Sequence, residues 1–205
     1  MKTKILAVIA LAITMAACEK DPIENNNQSS IPFMKVGNKW TYEWYAEGAQ
    51  ASITFFYEIT SIDEDGFAEI ICTNSVNDYH AEHRWFANDE FFADESGAFP
   101  NELFPLYYKN GTVGKKWDAP EVDDELGLLT RKIVALSETV TIDEITYRNC
   151  IKVKQTYELD LNVVDYYWIN ETVGIIKKEQ TGWLDLNDEP RKYFGVTTTL
   201  KNINF

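Results

Sequence analysis

Large apolar or β-branched residues recur at every second position along most of the chain. The pattern is clearest in KWTYEWYA (39–46), ASITFFYEITSI (51–62), CIKVKQTYELDL (150–161) and KYFGVTTTLKNI (192–203). Because successive side chains of a β-strand point to opposite faces, this alternation predicts half-buried strands. Turn-forming pairs such as Asp65-Gly66 and Asn110-Gly111 separate the segments, and no long helical pattern occurs.

Roughly ten short strands joined by tight turns predict an all-β fold in which the strands form an antiparallel meander. A single flat sheet of that length would leave long edges and one uncovered face. We therefore expect it to curl into a barrel or half-barrel, with a two-sheet β-sandwich as the alternative. No Gly/Pro/Ser-rich linker divides residues 32–205, which are expected to form a single domain.

The first 17 residues have the features of a secretory signal peptide. Two lysines precede an apolar run from Ile5 to Met15, and small residues follow it. The run is too short to cross a bilayer, since a spanning helix needs about 20 residues. Residues 19–31 are polar, so residues 18–31 are predicted to form a disordered tether that begins at Cys18.

The stretch Met15-Ala16-Ala17-Cys18 resembles the lipobox of bacterial lipoproteins, with Met15 where leucine is usual. The resemblance implies that the thiol of Cys18 receives a diacylglyceryl group and that the signal is cut just before it. Acyl chains, palmitate among them, would then anchor the protein to the outer membrane. The acidic start after Cys18 resembles a Bacteroidota surface-export signal, which favours the cell surface over the periplasmic face. A soluble secreted protein with a spare thiol is the alternative.

The charge balance argues against polyanion partners. The chain carries 19 basic and 33 acidic residues, a formal charge of −14. Removal of the signal peptide takes away two lysines and no acids, which makes the charge −16. A surface this acidic repels phosphate groups, so no nucleic acid is expected among the partners.

Two cysteines follow Cys18, and strand alternation places Cys72 inward and Cys150 outward. A disulfide between them is left open, and two inert thiols are the expectation. The only histidines, His80 and His83, would point to opposite faces of one strand, as surface residues that cannot share a metal ion. No nucleophile motif or phosphate loop occurs, so we expect no enzyme, no metal and no cofactor.

Aromatic side chains share one face of the first two predicted strands. They are Trp40, Tyr42, Trp44, Phe55 and Tyr57. A hydrophobic core accounts for such a face, but so does a concave surface that binds a ligand, because Trp and Tyr combine large contact area with a polar group. These five residues are the candidate ligand-binding set.

The pentapeptides VGNKW (36–40) and VGKKW (113–117) differ at one position. Their flanks are unrelated, which gives little support to a tandem duplication. We interpret both as local signals for the start of a strand, in which glycine allows a sharp turn and tryptophan is the first large core residue. Val173-Gly174 is expected to act in the same way.

Together with Asn149-Cys150-Ile151-Lys152-Val153 and the segment VGIIKKE (173–179), these motifs resemble a group of uncharacterised Bacteroidota lipoproteins with VGxxWxY, NCxKV and VGxxKxE motifs. The resemblance implies a half-barrel or lipocalin-like fold and carries no catalytic residues.

Two functions follow as hypotheses. In the first, the domain is a non-catalytic, membrane-anchored binding module that holds a small amphipathic ligand, a glycan or a lipid, on its curved aromatic face. In the second, it is an accessory subunit that docks on an outer-membrane protein complex through the aromatic segment 85–108. A cavity lined by the strand aromatics would favour the first hypothesis, and an exposed apolar patch on the segment would favour the second.

Overall fold

A computed structural model describes residues 31–95, 103–123, 127–159, 162–185 and 192–205. The predicted signal peptide, Cys18 and the tether up to residue 30 lie outside the described residues. Ile31, which the sequence places in the tether, belongs to the fold, since it is 1% exposed and packs in the core. None of the described segments forms a helix long and apolar enough to span a membrane.

Within these described residues, twelve antiparallel strands form one sheet. They are β1 (Lys39–Ala46), β2 (Ile53–Ile62), β3 (Phe67–Asn74), β4 (His80–Ala87), β5 (Phe91–Glu95), β6 (Pro105–Tyr108), β7 (Lys116–Asp123), β8 (Gly127–Ile142), β9 (Ile145–Tyr157), β10 (Val164–Asn170), β11 (Gly174–Asp185) and β12 (Lys192–Asn204). Their order in the sheet is β6-β5-β4-β3-β2-β1-β12-β11-β10-β9-β8-β7. The predicted all-β meander is confirmed, and the sandwich alternative is wrong.

The sheet curls without closing. β6 and β7 follow each other in the chain but form the two edges, and their described backbones do not pair. Side chains bridge them instead. The indole Nε1 of Trp117 on β7 donates to the carbonyl oxygen of Pro105 on β6 at 2.6 Å, and its ring meets that of Tyr108 edge to face. The fold is therefore a curled, open sheet of the half-barrel kind.

The two pentapeptides build the same local structure. Gly37 and Gly114 have positive φ angles of 88° and 96°. Each glycine N–H donates at 2.8 Å to the carbonyl of one isoleucine in the next strand, Ile59 or Ile133. That isoleucine donates back to the residue after the glycine, which is the pattern of a β-bulge with glycine at its first position. The predicted role as the start of a strand is confirmed.

These bulges begin the two six-stranded halves of the sheet, β1–β6 and β7–β12. The halves meet where β1 pairs with β12, from Lys39 opposite Asn204 to Ala46 opposite Val196. Gly174 also has a positive φ, of 96°, and begins β11, as expected.

The core fills the end of the curl where β1 begins. The segment before β1 supplies Ile31, Phe33 and Met34, which are at most 2% exposed. The ring of Phe33 lies edge to face against Trp40, Trp85 and Phe92. This packing leaves the other end of the curl, where β1 finishes, free for a cavity.

Cys72 and Cys150 are both buried and unpaired. The expectation of two separate thiols is confirmed, but the outward direction expected of Cys150 is wrong, because its exposure is 0%. Asn149 has a positive φ of 56°, and the register of β9 with β8 shifts nearby. The irregularity brings two successive residues, Cys150 and Ile151, into the core.

Candidate functional site

A cavity of about 460 Å³ lies inside the curl. One side, here called the aromatic wall, comes from β1, β2, β4 and the turn before β4, and consists of Tyr42, Trp44, Phe55, Tyr57, Tyr79 and Trp85. The other side, the polar wall, comes from β8 to β11 and consists of Arg131, Gln155, Asp165, Tyr167, Lys178 and Gln180. The site is therefore apolar on one side and hydrogen-bonding on the other.

Four of the five predicted ligand-binding residues line this cavity: Tyr42, Trp44, Phe55 and Tyr57. Trp40 does not. It is 1% exposed, it packs among the core aromatics, and its Nε1 donates to the carbonyl of Val173 at 2.8 Å. Trp40 shares a face with Tyr42 but lies one inward position nearer the filled end of the curl. Alternation gives the face of a residue and not its depth.

Ring contacts hold the aromatic wall in place. Tyr57 stacks on Trp85 with centroids 6.4 Å apart and meets Tyr42 edge to face at 5.4 Å. The hydroxyl of Tyr42 donates to the carbonyl of Ile175 at 2.9 Å. Nearer solvent, Phe55 meets Tyr79 edge to face at 5.9 Å. The deeper rings are thus fixed by their neighbours before any ligand arrives.

The polar wall is a row of side chains in register. Arg131 on β8 lies opposite Gln155 on β9, Gln155 opposite Asp165 on β10, and Asp165 opposite Gln180 on β11. All four are buried. Paired residues of neighbouring strands point to the same face, so the four side chains form one continuous line across the inner surface.

Asp165 is the centre of this row and is 1% exposed. Its carboxylate accepts hydrogen bonds from Tyr157 at 2.9 Å, Gln180 at 3.2 Å, Gln155 at 3.3 Å and Tyr167 at 3.4 Å. Lys178 Nζ lies 3.7 Å from the same group. Burial and then the charge of Asp165 raise the pKa of both tyrosine hydroxyls, which therefore remain protonated donors.

Arg131 is held at one end of the row. Its Nε donates to Gln155 at 2.8 Å, and its Nη1 donates to the carbonyls of Phe104 and Pro105 at 3.0 Å each. The guanidinium carbon lies 3.9 Å from the centroid of the Phe104 ring. Burial lowers the pKa of this guanidinium, and the nearby tyrosine and aspartate side chains oppose that shift.

Asp94 lies between the two walls and is half-buried. Burial raises the pKa of its carboxyl group, against the opposing effects of His83, Arg131, Lys178 and a hydrogen bond from Trp85. His83 was expected at the surface but lines the cavity, where its ring stacks on that of Tyr57 at 6.0 Å. His80, on the same strand, is exposed and lies 3.7 Å from Glu82.

The sequence prediction missed every residue of the polar wall and also Trp85, Asp94 and Tyr79. A signal for the polar wall was present. Arg131 lies in phase with Leu129 and Ile133, and Gln155 lies in phase with Val153 and Tyr157. A polar residue at an inward position of an otherwise apolar strand face must find a buried partner. Several such residues on successive strands indicate a network.

The described part of segment 85–108 is buried only in part, since Phe86, Phe91 and Tyr108 are half-buried and contact one another in series. Its fully buried aromatic residues are Trp85, Phe92, Phe104 and Tyr107. Residues 96–102 of the segment lie outside the described residues. Across all of the described residues, no group of three or more His, Cys, Asp or Glu side chains is arranged to hold a metal ion.

No protein-family model and no curated protein matches the chain. Two solved structures are similar. One, described as an exported protein with a YmcC-like fold from Bacteroides fragilis, is 14% identical over 83% of this chain and 97% of its own, with a TM-score of 0.53. The other, described as a lipoprotein from Parabacteroides distasonis, is 15% identical over 86% of this chain and 99% of its own, with a TM-score of 0.49. The first likeness shows that this chain shares the fold of the Bacteroides fragilis protein.

Proposed function

We propose that the protein is a non-catalytic lipoprotein of the outer membrane, at the cell surface, that binds a small amphipathic ligand inside its curled sheet. The observation that carries the proposal is the cavity of about 460 Å³ between an aromatic wall and a polar wall. Its volume lies within the range of about 300–1,000 Å³ for small-molecule sites, which combine apolar surface with a few placed polar groups.

Preorganisation supports binding over a purely structural role. The polar wall places buried charged and amide groups around a cavity, although apolar residues of similar size would fill a core with less desolvation. Its hydrogen bonds fix these groups before a ligand enters, which lowers the entropy lost on binding.

Anchoring is proposed on the resemblance of residues 15–18 to a lipobox, with Cys18 as the lipid attachment site. Membership of the group of Bacteroidota lipoproteins is part of the same proposal. The description of the Bacteroides fragilis protein as exported agrees with it. Docking on an outer-membrane complex is the second candidate, and the inward packing of Trp85, Phe92, Phe104 and Tyr107 favours the cavity over it.

Native mass spectrometry of the protein extracted from its own membrane tests binding. We expect wild-type protein to retain a small mass, and Thr198→Phe to lose it, because Thr198 lines the cavity. Thr197→Phe adds the same ring to the opposite face of β12 and should retain the mass. A stoichiometric protein partner with no small mass would contradict the proposal.

Metabolic labelling with a palmitate analogue tests the anchor. Wild-type protein should be labelled and Cys18→Ser should not. Equal labelling of the two proteins would show that the lipid is attached elsewhere.

A further inference from the structure

The charged groups of the polar wall have partners within the protein. Lys178 Nζ lies 3.7 Å from the carboxylate of Asp165, which also has four hydrogen-bond donors around it. The guanidinium of Arg131 donates to Gln155 and to two backbone carbonyls. A charged ligand would lose its hydration without meeting an unpartnered opposite charge, which is a costly exchange in a buried site. This pairing favours an uncharged ligand.

The polar wall also discriminates against an acyl chain. Lys178 borders the cavity with its side chain 28% exposed, and its ammonium group lies 3.7 Å from the carboxylate of Asp165, which is beyond hydrogen-bond distance. A hydrocarbon chain would remove the water from this ammonium group and offer no hydrogen bond in return. A buried polar group left without a partner costs about 1–3 kcal/mol. Hydroxyl groups both donate and accept, so they match a wall that offers guanidinium, ammonium, amide and carboxylate groups together.

The aromatic wall supplies the complementary surface. Trp44 is half-buried, and Tyr79 is 41% exposed at the mouth of the cavity. One face of a pyranose ring carries mainly C–H bonds, which are apolar and weakly positive. The face of an aromatic ring is negative, so the two surfaces attract each other.

The spacing of the walls fits one sugar ring with its hydroxyl groups. Trp44 is opposite Thr198 on β12, and Thr198 is opposite Lys178 on β11. Two strand spacings separate Trp44 from Lys178 at about 10 Å between backbones. A ring that stacks on Trp44 therefore brings its far hydroxyl groups within reach of Lys178 and Gln180.

We infer that the ligand is a neutral sugar, with a pyranose ring on Trp44 and Tyr79 and its hydroxyl groups on Lys178 and Gln180. This inference rests on the proposed function and selects a glycan over a lipid as the ligand.

An array of defined neutral di- to tetrasaccharides, printed beside uronic-acid sugars, tests the inference with the intact protein. We expect binding to neutral sugars, with a dissociation constant that changes less than about twofold between low and high NaCl because no charge is recognised. Trp44→Ala and Tyr79→Ala should each weaken binding about tenfold, which corresponds to about 1.4 kcal/mol. Thr197→Phe should bind like wild type.

Gln180→Leu should also weaken binding, and its melting temperature shows whether it folds. Tyr79→Ala removes a ring that is 41% exposed, so it tests the site with little risk to the fold. Binding of acidic sugars alone, or of no sugar on the array, overturns the inference.

Palmitic acid in detergent-free buffer is the competing probe, followed by the fluorescence of the cavity tryptophans. If palmitic acid binds and Thr198→Phe abolishes its binding, the sugar inference is wrong and the proposed binding function stands. If neither probe binds and native mass spectrometry finds no small mass, both fail.

Discussion

Arg131 and Pro105 are joined across the open seam of the sheet: Nη1 of Arg131 on β8 donates to the carbonyl oxygen of Pro105 at the start of β6, 3.0 Å away. The same guanidinium reaches Gln155 in the polar wall. One side chain therefore connects the β6 edge, across the seam, with the lining of the cavity, and its loss should affect both.

Arg131→Lys should lower the free energy of unfolding by about 2–4 kcal/mol. Lysine has no planar fork, so it cannot bond Gln155 and two carbonyls at once, and buried groups would be left unpaired. Urea denaturation followed by circular dichroism measures the change. Arg148→Lys is the matched control, since Arg148 is exposed and should shift stability by less than about 0.5 kcal/mol. Equal stability of the two variants would contradict this account of the seam.

Asp94→Asn should stabilise the protein at neutral pH. Burial raises the pKa of Asp94 in the folded protein above its ordinary value of 3.8, so folding favours the protonated form. Stability from this group is fully present below pH 3.8 and is lost as the pH rises through the raised pKa. Between pH 3 and 8, the melting temperature of Asp94→Asn should therefore exceed that of the wild-type protein by a margin that grows as the pH rises. Asp89→Asn, at a side chain that is 93% exposed, should show no such trend.

Gly114→Val should destabilise the fold by at least about 1–2 kcal/mol, because a left-handed backbone conformation is unfavourable for a residue with a Cβ atom. A Cβ at Gly114 meets no atom within 4 Å, so the loss is conformational and not a clash. Gly114→Asn should lower the free energy of unfolding by less than Gly114→Val does, since asparagine tolerates positive φ. Chemical denaturation of wild type and the two variants gives their order of stability. A valine variant as stable as wild type would show that the bulge is not a fold signal.

The thiols of Cys72 and Cys150 should not react in the folded protein. Both are buried, and burial raises the pKa of each, which lowers the reactive thiolate fraction. Ellman's reagent applied to the Cys18→Ser chain should detect no thiol before denaturation and two after it. Detection of none after denaturation without reductant would reveal a disulfide.

The inward faces of β1 and β2 were predictable because Tyr42, Trp44, Phe55 and Tyr57 follow strict alternation. The starts of β1 and β7 were predictable because glycine in a repeated motif has a specific backbone use. The depth of Trp40 could not be predicted, since it depends on Phe33 and the segment that fills one end of the curl. The inward direction of the Cys150 side chain could not be predicted, because an irregularity at Asn149 changes the alternation of inward and outward side chains along β9. The network around Asp165 depends on which strands become neighbours, and that is a property of the whole sheet.

The pairing of β1 with β12 also sets the order in which the chain can fold. Every other neighbouring pair joins strands that are consecutive in the chain, whereas this one joins the first strand to the last. Contacts of such long sequence separation are typical of slow folding. Until the 13 residues of β12 have been synthesised, β1 has an unpaired edge, with Trp40, Tyr42 and Trp44 on its inner face. Until β12 has emerged, the nascent chain therefore exposes this edge to pairing with other chains, and the two halves of the sheet can join only after that point.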